Sequence, residues 1–505
     1  MGLLLGYDLG TSGIKATLLE AEAGTAIATA RAPAEGEMTI DAPQPGWAEQ
    51  SPEDWWRQVQ AATAALRDAT DFDPEAVAAI GLAYQMHGLV LVDENHEVLR
   101  PAIIWADSRA VDIGREAFEA LGNDWCLRHL LNSPGNFTAS KLAWVRRNEP
   151  EIYDQAHKAM LPGDYIALRM TGQIRTTPSG LSEATLWDVR EEGLATDVLE
   201  YFDLSLDLWP DPVPPFSEQG RLTAKAADAL GVAPGTPVAY RAGDQPNNAF
   251  SLGVMAPGEV AATAGTSGVI YGVGEEPHVD PQSRVNPFLH VNHAPEGPSR
   301  YGTLMCVNGT GILNRWLHDA LGIENDLSYE RMNEEAASAP VGAEGLSVLP
   351  FGNGAERTLS DRNPGASVHG LSFTVHDRSH LLRAAQEGIV FALRYGLGIM
   401  RDMGLSADTI RAAHGNMFLS PVFREAFATV TETPVQLIRT DGAEGAARGA
   451  GIGAGIYDTT DDAFAGLKTV ETVVPNANRA DAYAEAYDRW HETLTHQLDA
   501  PPNHA

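Results

Sequence analysis

Two turns of the same composition, Gly10-Thr11-Ser12-Gly13 and Gly265-Thr266-Ser267-Gly268, stand 255 positions apart, about half of the 505-residue chain. Glycine lets successive backbone N–H groups face one concavity, and Thr and Ser hydroxyls add donors. Such turns hold an anion without a cationic cluster. Asp8, on the apolar run entering the first turn, stands where a carboxylate can hold Mg²⁺ against phosphate oxygens. Far downstream, Asp244 follows the apolar run Val238-Ala239-Tyr240-Arg241-Ala242 in the segment Gly243-Asp244-Gln245-Pro246-Asn247-Asn248. A carboxylate at a strand end can accept a hydroxyl proton during phosphoryl transfer, or it can simply cap the next helix.

Two further segments carry side chains suited to a polyol. Gln85-Met86-His87-Gly88 closes the run Ile80–Tyr84, where His can bond a hydroxyl and Met can pack on an apolar edge. The alternative for His87 is a purely structural role. Ile104-Trp105-Ala106-Asp107-Ser108-Arg109 combines an aromatic ring, a carboxylate and a guanidinium. It reads as a sugar-binding wall or, more plainly, as a surface ion pair beside a core tryptophan. Other motifs fail on spacing. Lys15 does not follow a glycine as a P-loop lysine must, and Gly449-Ala450-Gly451-Ile452-Gly453 has no acidic partner about 20 residues on. His290 and His293 lack the further ligands of a zinc site.

The elements that must position these groups alternate. Leu3–Asp8 and Ile14–Leu19 flank the first turn as a hairpin, and Glu259–Ala264 with Val269–Val273 repeat it around the second. The repeat predicts two domains of similar architecture, 1–252 and 253–500. Ser51-Pro52-Glu53-Asp54 predicts a helix start, Val77–Tyr84 a strand, and 248–254 a helix. His380–Met400 reads as a long buried helix. Residues 442–456, rich in glycine and alanine, predict close helix packing. A final helix over 479–499 carries Tyr483, Tyr487, Trp490, Leu494 and Leu498 on one face. The fold class is mixed α/β in two lobes.

Composition narrows the partners. Sixty-eight acidic against 35 basic residues leave a net charge of −33, which excludes coating nucleic acid or an anionic membrane. Only five of the basic residues are lysines, a balance that suits a salt-rich cytoplasm. Cys126 and Cys306 are isolated, the start has no signal-peptide pattern, and no apolar run reaches a membrane span. The expectation is a soluble cytoplasmic protein whose cleft is locally neutral or positive.

In order along the chain, Gly6-Tyr7-Asp8-Leu9-Gly10-Thr11-Ser12, Gln85-Met86-His87-Gly88, Ile104-Trp105-Ala106-Asp107, Phe137–Trp144, Gly243-Asp244, Ala264–Gly268 and Gly370-Leu371 with the helix through Glu387 resemble the FGGY carbohydrate kinases over essentially the whole length. The Met86-His87-Gly88 segment favours xylulose over glycerol. The resemblance implies two actin-like, ribonuclease-H-like domains with the active site in the cleft, and ATP-dependent phosphorylation of a ketopentose, D-xylulose before other ketoses. It implies Asp244 as general base, and Met86, His87, Gln245, Trp105 and Asp107 at the sugar. On the nucleotide side it implies Gly10, Thr11, Ser12, Lys15, Gly265, Thr266, Ser267, Gly268, Gly311, Gly415 and Asn416, with Mg²⁺ at Asp8 and Asp244. A homodimer is compatible with it. The chain departs from the family pattern at Gln245, where Asn is usual, and at Gly415-Asn416-Met417, where a glycine triplet is usual. Asn136 and Gln386 also depart from the two signatures. A sugar-independent ATPase of the same superfamily fold stays open as the alternative.

Overall fold

A computed structural model describes residues 2–321 and 327–499. The chain opens with β1 (Leu3–Leu9), β2 (Ile14–Glu20) and β3 (Thr25–Ala32), an antiparallel meander in which β1 and β2 form the predicted hairpin. Helix α1 (Pro52–Ala69) follows, with Ser51 accepting from the Asp54 N–H and proline in the first turn. Then come β4 (Val77–Tyr84), β5 (Phe216–Arg221), β6 (Pro237–Gly243) and α2 (Asp244–Ser251). The proline-rich segment 210–215 includes the two-residue strand Asp211–Pro212.

The second half repeats the plan. It contains β7 (Glu259–Ala264), β8 (Gly268–Gly274), β9 (Asn286–Leu289), β10 (Tyr301–Val307) and α3 (Gly311–Leu321). After these come α4 (Arg378–Asp402), β11 (Thr409–Ala413), β12 (Val435–Ile438), α5 (Gly442–Gly453), β13 (Thr469–Val473) and α6 (Ala480–Asp499).

The first sheet has the order β5-β6-β4-β1-β2-β3, and the second β9-β10-β8-β7-β11-β12-β13. In each, three parallel strands (β6, β4, β1 and β12, β11, β7) carry an antiparallel strand beyond one edge and an antiparallel meander on the other. The second sheet adds β9. This is a structural duplication, and the recurring turn is its trace in sequence.

Helices α2 and α5 follow equivalent strands of the two sheets and pack on one another. Helix α5 leaves its own half to lie on β1, β4 and β6 of the first sheet. The small-residue run permits this. A Cβ on Gly6 would stand 1.9 Å from the Ala443 carbonyl oxygen, and one on Gly81 the same distance from that of Ala446. The run that mimics a dinucleotide fingerprint is therefore packed helix. Helix α4 buries Leu382 to Met400 against the second sheet, and α6 buries Tyr483, Trp490 and Leu494. Among the described residues, no helix is long and apolar enough to cross a membrane.

Candidate active site

Leu9, Tyr84 and Gly243 stand opposite one another on β1, β4 and β6. The segments that follow these three parallel strands, Gly10–Gly13, Gln85–Gly88 and Asp244–Gln245, therefore emerge at one edge. That edge is where an open parallel sheet leaves a crevice for ligands. In the second sheet, β7 and β11 likewise release Gly265–Ser267 and His414–Asn416 at one end.

Asp244 begins α2 and does not cap it; Gly243 holds the cap position. Its carboxylate accepts from the Gln245 side-chain amide at 3.1 Å. Burial first, and the neighbouring Asp8 charge second, push its pKa up to about 7. Asp8 is pushed up to about 6, again mainly by burial, with Lys15 opposing and Asp441 assisting. Asp8 lies against the first residue of α5, since a Cβ on Gly442 would sit 2.3 Å from its Oδ2. Lys15 forms a 3.1 Å ion pair with Asp441, the cap of α5, so its charge is already engaged.

The first turn is braced from behind. Thr11 Oγ1 donates to Gln85 at 3.2 Å and accepts from the Trp105 indole at 2.8 Å, while Gln50 donates to the Thr11 carbonyl at 2.8 Å. The Gly10 N–H closes the turn on Gly13, and the Ser12 side chain is exposed. In the second turn, Ser267 donates to Asn308 at 3.4 Å and Thr266 is exposed. Gly311, first residue of α3, donates to the Gly265 carbonyl at 2.8 Å, and a Cβ on Gly265 would meet the Asn416 amide at 3.5 Å. Gly268 is buried against Thr310, and Gly415 has open space where a Cβ would be. Thus Gly265, Gly311 and Asn416, spread over about 150 positions of sequence, form one lip.

On the sugar side, Met86 packs against Gly243, immediately before Asp244. His87 has φ of 60°, a left-handed backbone that its surroundings must hold. Lys141 does so, donating from Nζ to the His87 carbonyl at 2.8 Å. The His87 Nδ1 lies 2.9 Å from the Glu183 carbonyl and must donate to it, which leaves Nε2 as an acceptor. Burial, with help from the Lys141 and Arg357 charges, lowers its pKa to about 3, so the ring stays neutral.

Two sequence expectations change in the packed structure. Asp107 is fully buried and accepts from the Ala48 N–H at 2.6 Å and from the Arg109 guanidinium at 2.7–2.9 Å. Arg109 in turn stacks 3.7 Å over Trp47. Asp107, expected at the sugar, thus braces the wall from inside, and the alternative of a surface ion pair gives way to an interior one. Trp105, expected at the sugar with a core position as the alternative, is 40% exposed. Three neighbours of the sugar side gave no clear sequence signal: Glu183, Phe288 and Arg357. The Glu183 carboxyl is buried without a hydrogen-bond partner, 3.7 Å from His87 Nδ1, and burial raises its pKa well above the usual range.

Residues 3–251 match the N-terminal domain of the FGGY family of carbohydrate kinases, and residues 260–456 match its C-terminal domain. The chain belongs to this family. It is 32% identical over 502 residues to the xylulose kinase of Escherichia coli K12, covering 97% of this chain and 99% of that one. The crystal structure of a xyloylose kinase from Brucella ovis superposes with a TM-score of 0.87 at 30% identity, covering 98% and 100% of the two chains. The fold also matches a gluconate kinase from Lactobacillus acidophilus, with a TM-score of 0.88 at 22% identity over 99% of each chain. As an FGGY enzyme the protein is a phosphotransferase of the carbohydrate kinase class, with ATP the donor its family implies.

Proposed function

We propose that the enzyme transfers the γ-phosphoryl group of ATP to the terminal hydroxyl of an open-chain ketopentose, D-xylulose to D-xylulose 5-phosphate. Asp244 takes the hydroxyl proton as the oxygen attacks phosphorus in line. The observation that carries this is the position of Asp244. Its carboxyl, pushed to about 7, follows Gly243, on which Met86 packs, and feels the repelling Asp8 charge. A base poised near neutral pH thus stands beside both the Met86-His87 segment and the carboxylate that enters the first glycine turn. Met86, the neutral His87 and Gln245 orient the acceptor, with the exposed Trp105 ring at the rim. The xylulose kinases among its relatives support the choice of sugar.

The Asp8 and Asp244 carboxylates are hard oxygen donors and fit Mg²⁺, which keeps most of its ligands as water and phosphate oxygens. When bound, the ion neutralises charge on the β- and γ-phosphate oxygens. The N–H groups around Thr11, Ser12, Thr266 and Ser267, at the two lips, meet the phosphates, while Gly311 braces the second turn through its bond to the Gly265 carbonyl. Gly415 and Asn416 then lie toward the nucleotide. The reading carries with it a cytoplasmic setting and a homodimer, for which the expected solution mass is twice that of the 54.0 kDa chain.

The test is a coupled ADP-release assay across D-xylulose, L-xylulose, L-ribulose, glycerol and gluconate, with and without Mg²⁺. D-Xylulose is expected to give the highest kcat/KM, and only with the metal. A higher value for another acceptor reassigns the substrate, and ADP release indifferent to every sugar replaces the kinase reading with an ATPase.

A further inference from the structure

Arg357 belongs to the second half, in a short 3-10 turn over Glu356–Leu359, yet its guanidinium ends beside the sugar side of the first. Its Nη1 donates to Ser283 Oγ at 3.1 Å, and Nη2 lies 3.5 Å from the Ser133 carbonyl. The guanidinium carbon sits 4.9 Å from the centroid of the Phe137 ring. Phe137 is buried, meets the His87 ring edge-on at 4.6 Å, and touches Phe288 of β9 at 5.9 Å between centroids. A cation from one half, an aromatic ring from each half and the candidate sugar-binding imidazole therefore form one stack.

The first half is shaped to admit this side chain. Gly135 has φ of +43°, and a Cβ there would stand 1.6 Å from Arg357 Nη2. Only a planar fork can reach two acceptors on opposite halves while lying across a ring, so lysine would not reproduce the contact. None of the contacts of Arg357 reaches Asp244 or either glycine turn.

We propose that Arg357 is a positioning residue for the sugar: reaching across from the second half, it clamps Phe137 against His87 and so fixes the wall on which the acceptor lies. The proposal rests on the reading of His87 as a sugar contact. Burial first and the Lys141 charge second keep that ring neutral, and the Arg357 charge adds to them in the same direction. Loss of the clamp loosens ground-state sugar binding and leaves phosphoryl transfer itself intact.

Steady-state kinetics test this with D-xylulose, or with the pentulose that the acceptor panel returns, in Arg357→Ala, Arg357→Lys, Phe137→Leu and the Arg357→Ala/Phe137→Leu double variant, with His87→Asn as reference. In Arg357→Ala the sugar KM is expected to rise about tenfold, while kcat and the ATP KM stay within about threefold of the parent. The double variant is expected to be no worse than the worse single one, because both changes break one clamp. Added guanidinium ion should recover part of the loss in Arg357→Ala and none in Phe137→Leu. A sugar KM within about twofold of the parent in Arg357→Ala, or losses that add in the double variant, overturns the proposal. Should Arg357→Ala not fold, Arg357→Lys decides: a raised sugar KM with an unchanged ATP KM supports the clamp, and an unchanged sugar KM removes it. A normal sugar KM in His87→Asn takes down the sugar-site reading and the clamp together. A raised one there with a normal value in Arg357→Ala takes down the clamp alone.

Discussion

Asp244 has the most demanding chemical task in the proposed reaction, and burial is what suits it to that task. Its pKa is raised from 3.8 to about 7, so the ionised, proton-accepting form grows in as pH rises through neutrality. The acid limb of kcat/KM for the sugar is expected below pH 7, because Mg²⁺ held at Asp8 and Asp244 favours the ionised carboxylate, with a plateau above it. Asp244→Asn should lower kcat by about 10²–10⁴-fold while leaving the sugar KM close to normal. The same variant should be more stable than the parent at pH 8. Above the folded pKa the parent holds a buried carboxylate that unfolding would release to water, and below the unfolded pKa both states are neutral. The gain should thus shrink as pH falls from about 7 to about 4, which melting curves across that range will show. Near-normal turnover in Asp244→Asn would assign the base elsewhere. Asp8, Asp244, Met86 and His87 stand out in the sequence because each lies within two positions of a glycine at the end of an apolar run. Asp107 misled because its segment has the composition of a binding wall, and only packing shows that every lone pair it could offer is already engaged.

At the scale of elements, helix α5 is what joins the two halves at the site. It comes from the second half, lies on the three parallel strands of the first, and presents Asp441 to Lys15 and Gly442 to Asp8. The contact depends on missing side chains in the strands beneath. Gly6→Ala and Gly81→Ala each drive a Cβ into a backbone carbonyl that cannot turn aside. Each is expected to lower stability by about 1–3 kcal/mol in urea titrations, and to reduce activity by displacing Asp8. Gly193→Ala, where the nearest atom would be 3.8 Å away, is the control and should stay within about 0.5 kcal/mol. Equal urea midpoints for all three variants would show that the helix adjusts freely. The glycine-rich run announced close packing, but a helix periodicity cannot say which sheet the helix packs on. The helix after β6 was likewise expected to begin at 248 and begins at Asp244, because the cap is a glycine with no side-chain acceptor to mark it.

The whole molecule carries −33 while handling substrates that are themselves anions. The site resolves the conflict locally. Lys15 is tied to Asp441 and Lys141 to a backbone carbonyl, so in the proposed reaction the phosphates fall to N–H groups of the two glycine turns and to Mg²⁺ rather than to lysines. The remaining acidity belongs to the exterior, where like charges repel across solvent and salt screens them within about 10 Å at 0.1 M. Thermal midpoints are therefore expected to climb steadily as KCl is raised from low concentration to above 1 M, with the steepest gain at the low end. A midpoint indifferent to KCl would mean that surface repulsion is already balanced by paired charges.

The duplicated turn, the hairpins around it, the two-lobed α/β class and the family were all determined by sequence alone. They follow from local periodicity, from glycine placement and from the order of short motifs, none of which needs a distant partner. What tertiary structure decided is which polar groups face the cleft. The same Asp can be a base at Asp244 or a buried brace at Asp107, and the same Arg a surface charge or, at Arg357, a bridge between halves. The physical reason is that desolvation and the supply of hydrogen-bond partners depend on residues brought in from elsewhere in the chain, 59 positions away for Ala48 at Asp107 and 224 for Ser133 at Arg357. Spacing along a chain carries no record of them.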